Sequence, residues 1–434
     1  MLHDLQLHDI DELFCDIPQK IKIKMLHLPQ GKSQQEIEDH MRYLAKQNKT
    51  FCDMPSFIGG GTQPHYIPAV VKSIISRSEF YTAYTPYQPE ASQGFLQAIF
   101  EYQSMIAELT GMEISNASLY DGPTALGEAA LMCSRINKKK TFVIPTNISW
   151  EKKSIIINYT KGAGIKIKEI PYERKTGRVD IDYLKKTIDT DTAGVYLENP
   201  NFFGVFEEDI DEINALLKKN QSLFVVGVDP ISLGICKSPG DYGADIVIGE
   251  GKNLGNPLDF GGSTLGIFAC KNDYVRQIPG RIIGLSKDQD GKRAFCMTMQ
   301  TREQHIRREK ATSNICTNEG LCMLAAVTYL SWLGDIGLYE LSRKNFEQGQ
   351  KLCKKINEIP GFSQLFSGVH FNEFVIRCPD AKKIHNYLLK KRMHGGLLLE
   401  YFYPQLHQCM LFGITEIHND EHIEQLLTLL REVT

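Results

Sequence analysis

The sequence lacks paired cysteines, a long apolar run and an excess of charge of either sign. Its 11 cysteines, scattered from Cys15 to Cys409, include no CxxC pair and no zinc-type spacing. An odd number of dispersed thiols in a chain of 434 residues fits reduced cysteines better than a disulfide framework. With 49 basic against 52 acidic side chains, the net charge is −3, so there is no broad basic field and nucleic acid is excluded as a general partner. No apolar run reaches membrane-spanning length. The opening residues, MLHDLQLHDIDELF, carry acids inside their apolar pattern and lack the basic start and apolar core of a secretory signal. These absences lead us to expect a cytoplasmic protein with no membrane association. The chain also has no internal repeat and no low-complexity tract.

What is present is enough apolar material, 42% of residues, for a large core. The stretch 223–266, LFVVGVDPISLGICKSPGDYGADIVIGEGKNLGNPLDFGGSTLG, organises the rest. One apolar run ends at Asp229 and a second ends at residues 249–251, so two buried strands deliver polar residues to one rim. Open α/β sheets bind ligands at that rim. An acid closing one strand and a lysine just past the next is what an aldehyde cofactor such as pyridoxal 5′-phosphate (PLP) needs. The acid keeps the pyridine nitrogen protonated and the lysine holds the aldehyde as an imine. Asp229 and Lys252 fit those roles; they equally fit a strand-end acid capping a turn and a solvated loop lysine.

Residues 1–56 read as an extended arm and a helix, with a capping box at Ser33 and Glu36 and an apolar face of Ile37, Met41 and Leu44. That face would pack on a larger body or on a partner subunit. From residue 57 the composition shifts to Gly, Thr, Gln and Tyr in FIGGGTQPHYIPAVVKSIISRSEFYTAYTPYQPEASQG. Its glycines permit close approach of the backbone. The tyrosine- and proline-rich part is a stiff amphipathic loop that would line a pocket, meet a partner or pack within the chain. A helix follows over 94–109 with Leu96, Ile99, Phe100 and Ile106 inward. In LYDGPTALGEAALMC, Asp121, Gly122 and Thr124 precede a helix whose N–H groups would face a phosphate or would simply be capped.

Strands are predicted over 142–144, 165–170, 195–197, 224–228 and 245–248, with helices near 150–160, 180–188 and 208–219. Strand and helix in alternation imply a parallel sheet with right-handed crossovers. Asn199 and Asn201, in the turn after 195–197, would meet a cofactor oxygen or cap the turn. Residues 279–317 form a basic connector. Its Lys292, Arg293, Arg302, Arg307, Arg308 and Lys310 would steer an acidic partner or make a solvated, ion-paired face. Beyond residue 331, helices at 338–357, 380–391 and 419–431 with strands at 371–376 and 409–413 make a small α/β layer. The expected division is therefore 1–56, 57–330 and 331–434.

Several long blocks, FIGGGTQPHYIPAVV, YTPYQPEASQG, ELTGMEISNASLYDGPTALGEAA, PNFFGVFEE, VDPISLG, GADIVIGEG, NPLDFGG and QTREQHIRREKATSNICTNEG, resemble the glycine cleavage system P-protein family from about Asp11 onward. Length and motifs resemble subunit 1, the α chain, of the two-subunit form. The resemblance implies an α/β fold of the PLP-dependent transferase type (aspartate aminotransferase type, fold type I). Such a fold has a mostly parallel central sheet with helices on both faces and a small C-terminal α/β domain. It also implies glycine as substrate, an α2β2 complex with subunit 2, and transfer of an aminomethyl group to the lipoamide of lipoylated H-protein. The PLP lysine is implied to belong to subunit 2. Subunit 1 usually has Gln where this chain has Lys252, so Lys252 is either a substitution of that Gln or a regained imine former. A reactive lysine must be partly deprotonated near neutrality, whereas neighbouring Glu250 would stabilise the ammonium.

In this reading Asp121, Gly122, Thr124, Trp150, Asn201 and Asp229 form a vestigial cofactor pocket. Trp150 stands near the place where the family often shows a His-Pro pair, and would supply the ring stacked on the pyridine. Tyr84, Thr85, Tyr87, Gln88 and Glu90 would wall a substrate channel or a subunit interface, since a rigid aromatic and polar loop suits a narrow passage. A self-sufficient PLP enzyme using Lys252 and a non-catalytic scaffold are the alternatives.

Overall fold

Strands that are apolar on both faces must be covered on both faces, and this requirement sets the architecture. The computed structural model describes residues 1–434 apart from Lys24, Thr62, Tyr84 and Thr434. Seven strands form the main sheet: β1 (Ile114–Ser115), β2 (Thr141–Pro145), β3 (Lys166–Ile170), β4 (Thr192–Glu198), β5 (Leu223–Val228), β6 (Ile246–Glu250) and β7 (Gly266–Cys270). Their order is β1-β7-β6-β5-β4-β2-β3. Pairings from β3 through β6 are parallel, and β7 runs antiparallel to both of its neighbours. Alternate residues of each strand feed two separate cores. Val195, Leu197, Phe224, Val226 and Val247 pack on one face, whereas Tyr196, Val225, Ile246 and Ile248 pack on the other. Each such side chain contributes roughly 1.5–3 kcal/mol by leaving water.

The predicted strands and helices of this region all exist, with ends moved by a few residues. The helix Gln93–Thr110 buries Leu96, Ile99 and Ile106, while Phe100 is half-buried. Two features went unread. The glycine- and tyrosine-rich segment contains a helix, Ala69–Ile75, that buries Val71. The basic connector contains a hairpin of β8 (Ile282–Lys287) and β9 (Arg293–Thr298), with Ile283, Phe295 and Met297 in the core.

A second sheet has the order β10-β11-β13-β12, built from β10 (Ser363–Gln364), β11 (Glu373–Arg377), β12 (Leu397–Leu398) and β13 (Cys409–Gly413), all antiparallel. The helices Ala381–Lys390 and Asp420–Val433 share its core. The helix expected at 338–357 is the latter part of one helix, Gly320–Asn357, interrupted at Gly334 (φ 62°, ψ −172°). An 18-residue window of this helix has mean hydropathy 1.5, enough to cross a bilayer by length and composition. Its Met323, Leu324, Ala326 and Tyr329 are instead buried in the main core.

Two compact units are present, Met1–Thr50 and Phe51–Thr434. In the first, Ser33 and Glu36 make the expected capping box on the helix Gln34–Gln47. In the second, Ser56 bridges to His394 and Ile58 to Phe412, so the segment that opens near residue 57 joins the C-terminal sheet first.

The turn after β4 ties the main sheet to the C-terminal one. The Gly204 carbonyl accepts the Phe371 N–H at 2.9 Å, and a Cβ on Gly204 would lie 2.0 Å from the Glu373 carbonyl oxygen. Its φ of +82° also disfavours any side chain. Gly204→Ala is therefore expected to destabilise the protein by roughly 3 kcal/mol, at the upper end of single substitutions. The check is the chemical-denaturation midpoint, and an unchanged midpoint would contradict this packing.

Candidate functional site

The carboxyl ends of β2, β4, β5 and β6 open on one rim. The strand register sets Gly227 beside Glu198 and Gly249 beside Val228, which brings Asp229 and the end of β6 together. There a cavity of about 500 Å³ is lined by residues of both sheets, including Gly60, Asp121, Lys152, Asp229, Lys252 and Glu373. Asp121, Asn201, Asp229 and Lys252 from the sequence reading all line it. Gly122 and Thr124 lie at the helix start beside it. Trp150 does not reach it: half its surface is exposed and its ring stacks on Phe402 at 5.9 Å and 5°. The cause is helical phase, because the preceding Ser149 takes the cap position, accepting the Lys152 N–H, and turns Trp150 outward.

Each predicted polar group already has a partner. Asp229 accepts the Ile231 N–H at 2.9 Å; burial raises its carboxyl above the ordinary range, opposed by nearby His65. Asn201 accepts from the Phe203 and Val205 N–H groups and donates to the Gly177 carbonyl and Glu207. It caps its turn. Asp121 accepts the Thr124 N–H at 2.6 Å. Lys252 is not a solvated loop residue: it is 6% exposed, and Nζ donates to the Gly261 carbonyl at 2.7 Å.

Three carboxylates in the cavity were not anticipated as site residues. Glu198 at the end of β4 accepts from Lys152 Nζ at 2.5 Å and from the Tyr196 hydroxyl at 2.7 Å. Glu250 accepts three backbone N–H groups, from Gly122 (3.0 Å), Lys252 (3.0 Å) and Leu265 (2.9 Å). Glu373 on β11 accepts from the N–H groups of Gly60 (2.6 Å) and Gly61 (2.9 Å) and from the Gln63 side chain. Both glycines have positive φ, which points successive N–H groups at one anion. The GGGTQ signal was thus legible as an anion nest, but its occupant lies more than 300 positions away.

The residues present do not fit PLP. Phe202, the only aromatic ring among the described lining residues, stacks on Tyr403 at 5.9 Å and 30°, the candidate imine lysine is tied to a carbonyl, and the helix start is already hydrogen-bonded.

The proposed channel loop stands apart from this cavity. Tyr84 lies outside the described residues, and Thr85, Tyr87, Gln88 and Glu90 are not among the lining residues. Pro86 is buried and anchors the loop, while Tyr87, Gln88 and Glu90 are exposed. Arg281, 3% exposed, donates to the Tyr87 hydroxyl at 3.1 Å with its guanidinium 5.3 Å from the ring centre. His305 meets the same ring edge-on at 6.0 Å. Of the basic run, Arg302 staples the carbonyls of Ile278 and Gly280, and Arg307, Arg308 and Lys310 are exposed.

With this geometry in hand, the relatives are informative. The profile described as glycine cleavage system P-protein matches residues 1–430. The chain belongs to that family. A chain from Pyrococcus abyssi named probable glycine dehydrogenase (decarboxylating) subunit 1 is 49% identical over 441 residues, covering 100% of this chain and 97% of that one. A chain of the same name from Desulfitobacterium hafniense is 46% identical, covering 98% and 95%. The crystal structure of an inhibitor-bound glycine decarboxylase (P-protein) superposes with a TM-score of 0.92 at 38% identity, covering 100% of this chain and 97% of that one. A sphingosine-1-phosphate lyase of Burkholderia pseudomallei shares the fold at a TM-score of 0.68 and 14% identity, covering 95% and 93%. This P-protein chain therefore has the fold of the fold type I PLP-dependent enzymes, with the mostly parallel sheet expected.

Buried carboxyls give this P-protein chain a pH signature. Burial raises Glu373 and Glu207 each to about 7. An acid raised on folding stabilises the native state while both states are protonated, and that contribution is lost as pH rises through the folded value. The melting temperature is expected to fall from the ordinary carboxylate range through about pH 7. The Glu207→Gln, Glu373→Gln double variant should fall less steeply in the same scan, and an unchanged slope would contradict the assignment.

Proposed function

We propose that this chain is subunit 1 of a glycine dehydrogenase (decarboxylating) that works only in complex with subunit 2. Subunit 2 supplies the lysine that binds PLP, and the assembly is an α2β2 heterotetramer. Glycine loses its carboxylate as CO2, and the remaining aminomethyl group passes to the lipoamide of lipoylated H-protein. The observation that carries this division of labour is the state of the rim cavity, where Asp121, Asp229, Glu250, Lys252 and Glu373 all have partners within the chain. Side chains so committed to one another support a reading in which the coenzyme and its chemistry belong to the companion chain.

What this chain contributes is shape. The loop at residues 85–90 presents Tyr87 rigidly, because Arg281 and His305 hold the ring from two sides and an ordered aromatic surface loses little freedom on association. We assign this loop, with Thr85, Gln88 and Glu90, to the wall of the partner's substrate passage or to the subunit interface. The helix Gln34–Gln47 leaves Ile37, Met41 and Leu44 exposed, as suits an arm that closes on a partner. Arg307, Arg308 and Lys310 supply positive charge for an acidic carrier protein.

Two measurements test the proposal. Borohydride reduction of the chain with PLP, followed by peptide mapping, is expected to leave Lys252 unlabelled; a stoichiometric adduct there would favour the self-sufficient enzyme. Glycine-dependent exchange of CO2 is expected only with both subunits and should fall about tenfold or more in Tyr87→Ala, since removing a positioning surface typically costs that much. An unchanged rate in assembled Tyr87→Ala would remove the loop from the passage.

A further inference from the structure

The start of the helix Gly122–Asn137 lies at the coenzyme rim of this fold, and every N–H group there is accounted for. Gly122 N–H donates to Glu250 Oε2, Pro123 has none, Thr124 N–H donates to Asp121 Oδ1, and Ala125 N–H donates to the Asp121 carbonyl. A helix start normally leaves such groups for a cap or an anion. Here the anion is covalently part of the chain. Glu250 Oε1 also gathers N–H groups from Lys252 and from Leu265 at the entry to β7, so one carboxylate joins a helix, a strand end and the next strand. Packing agrees with bonding: a Cβ added to Gly122 would lie 3.3 Å from Glu250 Cβ and from its backbone nitrogen, so the helix start sits directly against the end of β6. Charge agrees as well. Acidic side chains outnumber basic ones in the cavity wall, Asp121, Glu151, Glu198, Asp229, Glu250 and Glu373 against Lys152 and Lys252, although burial raises Asp229, Glu250 and Glu373.

We infer that Glu250 is a built-in stand-in for a phosphate: its carboxylate occupies the anion seat at this helix start, and so keeps phosphate-bearing ligands, the coenzyme among them, out of this chain. The inference deepens the reading that the coenzyme resides on subunit 2, and it supplies that reading with a residue. An acid in this position does two things at once. It satisfies three backbone donors that would otherwise be buried without partners, and it prevents a partly formed pocket from drawing coenzyme away from the competent subunit.

The seat is testable by opening it. Titration calorimetry of the full-length chain near neutral pH, with inorganic phosphate and then with PLP, is expected to show no saturable binding in the millimolar range. Glu250→Ala frees the Gly122, Lys252 and Leu265 N–H groups and is expected to bind inorganic phosphate at least about tenfold more tightly than the parent, the scale of one charge at a helix start. In that variant PLP should bind more tightly than pyridoxal, which lacks the phosphate. Circular dichroism establishes that the variant is folded. If it is not, Glu250→Ser, whose hydroxyl still accepts one N–H, replaces it with the same expected direction. Saturable phosphate or PLP binding by the parent chain, or a folded variant that binds no better than the parent, would overturn the inference. Because the readout is anion binding by this chain alone, a failure of glycine turnover in the assembled complex leaves it untouched.

Discussion

Buried carboxylates held by backbone N–H groups are the constraint on which this structure turns. Glu250 and Glu373 are each taken out of water, which is costly for a charge, and each is compensated by donors that the chain's glycines and strand ends aim at it. Glu250 closes the main sheet's rim at the Gly122 helix, and Glu373 closes it from the C-terminal sheet at Gly60 and Gly61. The two therefore connect segments that are distant in the sequence. The joining of the two sheets and the closing of the helix start follow from the same hydrogen bonds.

The link between the sheets depends on how closely backbones approach. Gly204 sits against the Glu373 carbonyl, and Gly227 against the Tyr196 hydroxyl that supports Glu198. The Gly204 contact holds the turn after β4 against β11, and Glu373 and Asp229 line one cavity. Under the proposed division of labour, in which this chain presents surfaces to a partner, such rigidity is useful in itself. The cavity is stabilised as structure, and the outward loop at residues 85–90 is anchored by Pro86 and Arg281.

Much of the fold was legible because buried parallel strands announce themselves. The runs ending at Asp229 and Glu250 are apolar on both faces, and the helices Trp150–Lys161, Ile181–Thr187 and Ile210–Asn220 alternate with the strands that precede them. The β8–β9 hairpin was hidden by its charges, although Asp290 and Gly291 between alternating residues are a hairpin turn signal. The first half of the helix Gly320–Asn357 was missed because Gly320 at its start and Gly334 within it break the periodic pattern. At the site, Asp229 and Lys252 were found from strand ends alone, and their positions around one cavity agree with that. Their environments were not legible. The partner of Lys252 is a loop carbonyl nine residues on, and the role of Glu250 depends on a helix start 128 positions earlier. Trp150 was misplaced because its position in the sequence suggested a stacking ring, whereas the cap at Ser149 fixes the helical phase and turns it out.

The central claim is that this chain carries the fold of a coenzyme enzyme with the coenzyme's place already filled from within. The most direct measurement is the coenzyme content of the assembled complex, by release and quantitation of PLP alongside native mass spectrometry of the separated chains. One PLP for each pair of unlike chains, all of it on the companion subunit, is the result the account predicts. Two per pair, with PLP retained on this chain, would contradict it.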